Sequence, residues 1–124
     1  MSQSIELTVG DVTLQAELND SPTAKELIAA LPFSGSASRW GDEYYFSTPV
    51  SAGEGPDATA DWKVGDLAFW PPGNAFCILF GPTPASSSDA PRTASPGNPI
   101  GRILDDVEPL KSLVGSVSVQ VSAK

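Results

Sequence analysis

Histidine is absent from this chain of 124 residues, and cysteine occurs once, as Cys77. The first absence removes the commonest catalytic base and metal ligand, so His-containing nucleophile triads and ordinary zinc sites are excluded. A single cysteine leaves no intramolecular disulfide and fits a reducing compartment. Basic residues are few, seven against fifteen acidic, for a net charge of −8. No basic cluster offsets that balance, so no nucleic-acid partner is expected. The carboxylates are scattered apart from pairs such as Asp42-Glu43 and Asp105-Asp106, and their expected role is solubility. Their spacing is not that of a calcium loop. No apolar run approaches the ~20 residues that span a bilayer, so no membrane segment is expected. The first six residues carry neither the basic nor the apolar region of a secretory signal. These absences point to a cytoplasmic single domain over residues 1–124, with no cofactor and no metal.

What the chain does have is a concentrated aromatic element. Gly65-Asp66-Leu67-Ala68-Phe69-Trp70 and Ala75-Phe76-Cys77-Ile78-Leu79-Phe80 read as two apolar strands around Pro71-Pro72-Gly73-Asn74. Proline fixes φ and lacks an N–H, while Gly73 and Asn74 tolerate the positive φ of a tight turn. Aromatics beside such a rigid corner form either a dense core joint or the wall of a recognition groove.

Elsewhere the periodicity is mostly that of strands. Ile5, Leu7 and Val9 alternate with polar residues, as do Val12, Leu14, Ala16 and Leu18, and Gly10-Asp11 between them marks a hairpin. Ser21-Pro22-Thr23-Ala24 opens a helix with a cap and a first-turn proline, and Pro32 ends it. Residues 34–38 and 51–60 read as loops, with a strand in the second half of residues 39–46. Residues 85–99 are Ser-, Pro-, Ala-, Gly- and Asn-rich and read as a long exposed loop, which suggests mobility or function. A short strand at 100–104, a helix at 105–114 and a strand at 117–121 complete the chain. Many short strands and two helices predict a closed β-barrel whose ends the helices cap.

This order resembles that of the cyclophilins, which open with a hairpin and a Pro-x-Thr-Ala helix, matched by residues 12–18 and Pro22-Thr23-Ala24. The chain is more closely similar to a small prokaryotic cyclophilin-like family. Arg39-Trp40-Gly41-Asp42-Glu43 before an aromatic strand, the 65–74 run, Phe80-Gly81-Pro82-Thr83-Pro84 and Asn98-Pro99-Ile100-Gly101-Arg102-Ile103 carry that resemblance. It implies an eight-stranded cyclophilin-like β-barrel with two α-helices, and no particular activity. Against active cyclophilins, the polar Gln falls on Ala75 and the pocket-floor Phe on Cys77. The substrate-binding backbone falls on Trp70-Pro71-Pro72, where Pro71 has no N–H to donate. The Phe-His-Arg signature with the catalytic arginine has no counterpart.

Three functions stay open on this basis. In the first, a small or extended peptide-like ligand binds the Trp70-Pro71-Pro72 corner, with Arg39 facing an anionic or carbonyl group, Trp40 and Tyr45 giving apolar cover, and Asn74 and Cys77 as further candidates. In the second the chain is a weak peptidyl-prolyl isomerase, with Arg39 as the catalytic donor to the twisted bond. In the third it is an interaction protein that self-associates, for example as a homodimer. Each site residue also has a plainer reading: barrel filling for the aromatics, an ion pair with Asp42 or Glu43 for Arg39, a turn for Asn74, an inert buried thiol for Cys77. Arg102 is expected to support the end of the barrel.

Overall fold

The computed structural model describes residues 2–124. The alternating segments at the start form β1 (Gln3–Val9) and β2 (Val12–Leu18), paired antiparallel with Val9 opposite Val12. Gly10 takes φ +61° in the turn between them. Helix α1 (Pro22–Ala30) follows; the Ser21 side chain accepts from the Ala24 N–H as its cap, and Leu27 is buried beneath it. Then come β3 (Phe33–Arg39), β4 (Glu43–Ser47), β5 (Thr59–Asp61), β6 (Asp66–Trp70), β7 (Ala75–Leu79), β8 (Arg92–Ile103) and β9 (Val117–Ala123).

Pairing runs β2-β1-β9-β3-β4-β7-β6-β8, and β8 returns to pair with β2, so eight strands form a ring-like antiparallel sheet. β5 adds to β8 outside that ring. The inner faces meet in one core. Phe33, Phe46 and Phe76 pack at centroid distances of 5.6–6.2 Å, and Tyr44 stacks on Phe80 at 5.8 Å. A second apolar cluster lies apart from this core: Trp62, Ala68, Ala75, Cys77 and Leu79, with Trp70 packed against it. Strands β6 and β7 therefore bury both faces, which explains their near-continuous apolar run. No helix among the described residues is long and apolar enough to cross a membrane.

Three expectations need correction. The second helix is a 3₁₀ turn, Glu108–Ser112. Pro109 removes a helical donor, and the turn stops at Leu113, which is extended (φ −72°, ψ 147°) and donates its N–H to the Leu110 carbonyl. Val107, Leu110 and Leu113 recur every third residue, the eclipsed spacing of a 3₁₀ turn and not the face of an α-helix. Residues 34–38 are strand and not loop; their side chains are small because Phe46 sits over Gly35, where a Cβ would lie 2.8 Å from the ring. The 85–99 segment is loop only as far as Pro91, because β8 begins at Arg92. Its polar residues are strand residues with partners: Thr93 accepts from the Trp62 indole and Ser95 from that of Trp70. The remaining loop is pinned by Thr83 and Ser86, which bond each other's backbone and side chain.

Candidate functional site

Alternation along β4 decides what faces the site. Tyr44 and Phe46 belong to the inner core, so Glu43, Tyr45 and Ser47 project from the opposite face. In register on β7, Glu43 sits opposite Leu79 and Tyr45 opposite Cys77. On the other side of β7, Trp70 of β6 sits opposite Ala75. The outer wall formed this way holds a cavity of about 150 Å³ lined by Trp40, Glu43, Tyr45, Trp70 and Ala94.

Each wall is held by local structure. Trp40 ends the β3 arm of a tight hairpin in which its N–H donates to the Glu43 carbonyl at 2.9 Å and Gly41 takes φ +63°. The Trp70 indole N–H donates to Ser95 Oγ at 2.9 Å, which fixes the plane of the ring. Pro71–Gly73 form a 3₁₀ turn closed by Asn74 in the left-handed region, with the Asn74 N–H donating to the Pro71 carbonyl at 3.1 Å. The Gly73 α-carbon faces the Trp70 ring, where a Cβ would sit 3.4 Å away. Tyr45 is 37% exposed, so the cavity opens past its ring.

Glu43 is the unexpected member. It is 5% exposed, and its Oε1 has no hydrogen-bond partner. Burial pushes its carboxyl from the ordinary 4.5 up to about 7, with a hydrogen bond from Cys77 pulling the other way. Burial and the neighbouring carboxylate push the Cys77 thiol well above its usual range, so it stays protonated and unreactive. The solubility reading of the Asp42-Glu43 pair is thus half corrected. Asp42 takes the ion pair with Arg39, at 2.8 Å, and Glu43 has no cationic partner among the described residues. The signal lay in the strand itself, since two residues before an outward Tyr45 an outward Glu43 is unavoidable.

Of the residues singled out from sequence, Trp40, Tyr45 and Trp70 share the cavity, and Cys77 lies beneath it in the buried cluster. Pro71 and Asn74 shape the adjoining turn and do not line the cavity. Arg39 does not line it either. Its guanidinium donates to the carbonyls of Gly41, Lys111 and Leu113 and to Asp42, and it lies over the rings of Tyr44 and Phe80 at 5.7 and 5.1 Å. It ties the β3–β4 hairpin to the 3₁₀ turn at one end of the ring. Arg39→Ala is expected to cost about 2–3 kcal/mol in denaturant unfolding, and Lys should not restore it, because one ammonium cannot reproduce that fork of donors. Loss of under 0.5 kcal/mol would contradict the clamp.

A family model described as cyclophilin-like matches residues 3–122. The chain belongs to the cyclophilin-like family. The solution structure of the hypothetical protein AF2241 from Archaeoglobus fulgidus superposes on it with a TM-score of 0.84 at 35% identity, covering 99% of this chain and 95% of that one. No functionally curated protein matches. On this cyclophilin-like ring the positions set against the isomerase pocket, Ala75 and Cys77, are both buried members of the outer apolar cluster.

Proposed function

We propose that this cyclophilin-like protein is a binding domain that receives a small ligand, or the terminal group of a peptide-like one, in the cavity between Trp40, Tyr45 and Trp70. The observation that carries the reading is the largely buried carboxyl of Glu43 in the wall of a cavity whose other lining residues are Trp40, Tyr45, Trp70 and Ala94. A carboxyl held out of water without a cationic partner costs free energy, and a ligand that brings a donor or a positive charge beside it lowers that cost on binding. A cavity of about 150 Å³ is large enough for a benzene-sized guest. Rigid rings held by a proline turn and by Ser95 lose little entropy when the guest enters.

Binding is favoured over prolyl isomerisation by the place of Arg39. Speeding rotation about an X–Pro bond needs a donor that stabilises the twisted state more than the ground state. The one arginine proposed for that task has its donors engaged at the end of the ring, and none of the cavity-lining side chains is cationic.

The three tryptophans give the test its internal control. Proline-containing peptides and small organic molecules are titrated while the indole N–H signals are followed by NMR. The signals of Trp40 and Trp70 are expected to shift, and that of Trp62, buried in its bond to Thr93, to stay in place. Trp70→Ala should weaken binding at least tenfold, as expected for loss of about 1.4 kcal/mol or more of aromatic contact. Compounds that move no indole signal, or only that of Trp62, would rule the cavity out.

A further inference from the structure

We infer that the ligand class of this cavity is a small alkylammonium ion, its N–H directed at the Glu43 carboxylate and its alkyl groups lying against Trp40, Tyr45 and Trp70. The inference rests on the binding reading above and narrows it to one chemistry.

Three features of the lining select a cation of this kind. The lining holds a single carboxyl, and no cationic side chain among the described residues pairs with it, so a guest that brings positive charge and a donor meets its complement there. Three of the other lining residues are aromatic, and their ring faces attract a positive charge most strongly when it is desolvated. The cavity offers no second carboxylate, which excludes a hard metal cation that needs several oxygen ligands. A bare ammonium fits poorly, because its remaining N–H groups would lose water and find only rings. Alkyl groups in their place turn that loss into apolar contact. An anion would meet the carboxylate with nothing to offset it.

The surroundings of Glu43 leave the role to the guest. Cys77, on the neighbouring strand, is the titratable group that acts on the carboxyl, and it remains a thiol. Arg39, four residues earlier, is bound to Asp42 and to backbone carbonyls. Lys111, in the 3₁₀ turn, pairs with Glu108. The carboxyl titrates near neutrality, so the cation site is fully formed only above about pH 7.

The test uses trimethylammonium chloride against tert-butanol, which keeps a donor and the alkyl surface but not the charge, with the Trp40 and Trp70 indole signals as readout. Trimethylammonium, protonated throughout, should bind about tenfold tighter at pH 8 than at pH 6, following ionisation of the carboxyl. Glu43→Gln should remove that pH dependence and weaken binding at pH 8 at least tenfold. A peptide carrying dimethyl-lysine presents the same group on a chain; tighter binding than the free amine would place the natural source on a polypeptide, weaker binding on a free amine. Equal binding of tert-butanol, unaffected by Glu43→Gln, would overturn the cation and leave the binding cavity standing. If neither probe nor any other compound moves the two indole signals, both readings fall.

Discussion

Glu43→Gln is expected to stabilise this protein by up to about 3 kcal/mol at pH 8 and to leave it unchanged at pH 4.5. The carboxyl rises from 4.5 in the solvated chain to about 7 in the fold, because burial disfavours its charged form. Between these values the folded state holds a proton that the unfolded chain has already released. Its contribution to stability is therefore fully present below about pH 4.5, falls as pH rises through about 7, and is flat beyond. The absence of histidine makes the measurement clean, since besides the α-amino group no other group has an ordinary value near neutrality. Guanidinium unfolding at several pH values should show wild type and variant diverging only across that window. Parallel curves would mean that Glu43 is solvated in the folded state, and the cavity would lose its polar member.

The second large effect concerns the seam where the ring closes. Gly101 of β8 faces Leu18 of β2, and a Cβ there would lie 2.0 Å from the Glu17 carbonyl oxygen. That atom is backbone in a paired strand, so it cannot move aside without opening the pairing. Gly101→Ala is expected to cost on the order of 3 kcal/mol or more and to lower Tm on the order of 10 °C. Gly53→Ala is the matched control: a Cβ there meets nothing within 4 Å, and its effect should stay within about 0.5 kcal/mol. Equal effects of the two substitutions would show that the seam is not under this constraint. Arg102 adds an exposed ion pair to Glu17 across the same seam at 3.2 Å, too solvated to hold the closure alone.

Much of the fold could be read from residue patterns. The alternation at Ile5, Leu7 and Val9, the Ser21 cap, the runs around Pro71-Pro72 and the valines of β9 each carry a local signal strong enough to survive packing. What escaped was written in tertiary terms. β3 looked like a loop because its small residues make room for Phe46, a partner on another strand. The first half of β8 looked like a loop because Thr93 and Ser95 are there to hold two indoles rather than to fill a core. The site divides in the same way. Aromatic residues next to tight turns announced Trp40, Tyr45 and Trp70. Arg39 misled because its acceptors, the carbonyls of Lys111 and Leu113, come from a turn more than seventy residues later. Glu43 was hidden by its neighbour Asp42, whose ordinary ion pair made the two carboxylates look alike.

The Glu43 carboxyl is kept out of water on the outer wall of the ring, and its own titration shows whether that is so. A ¹³C-detected pH titration of the Glu43 side-chain carboxyl is expected to give a midpoint of about 7, with Asp42 titrating separately. A midpoint near 4.5 would contradict it, because a carboxyl at its ordinary value is one that water already reaches.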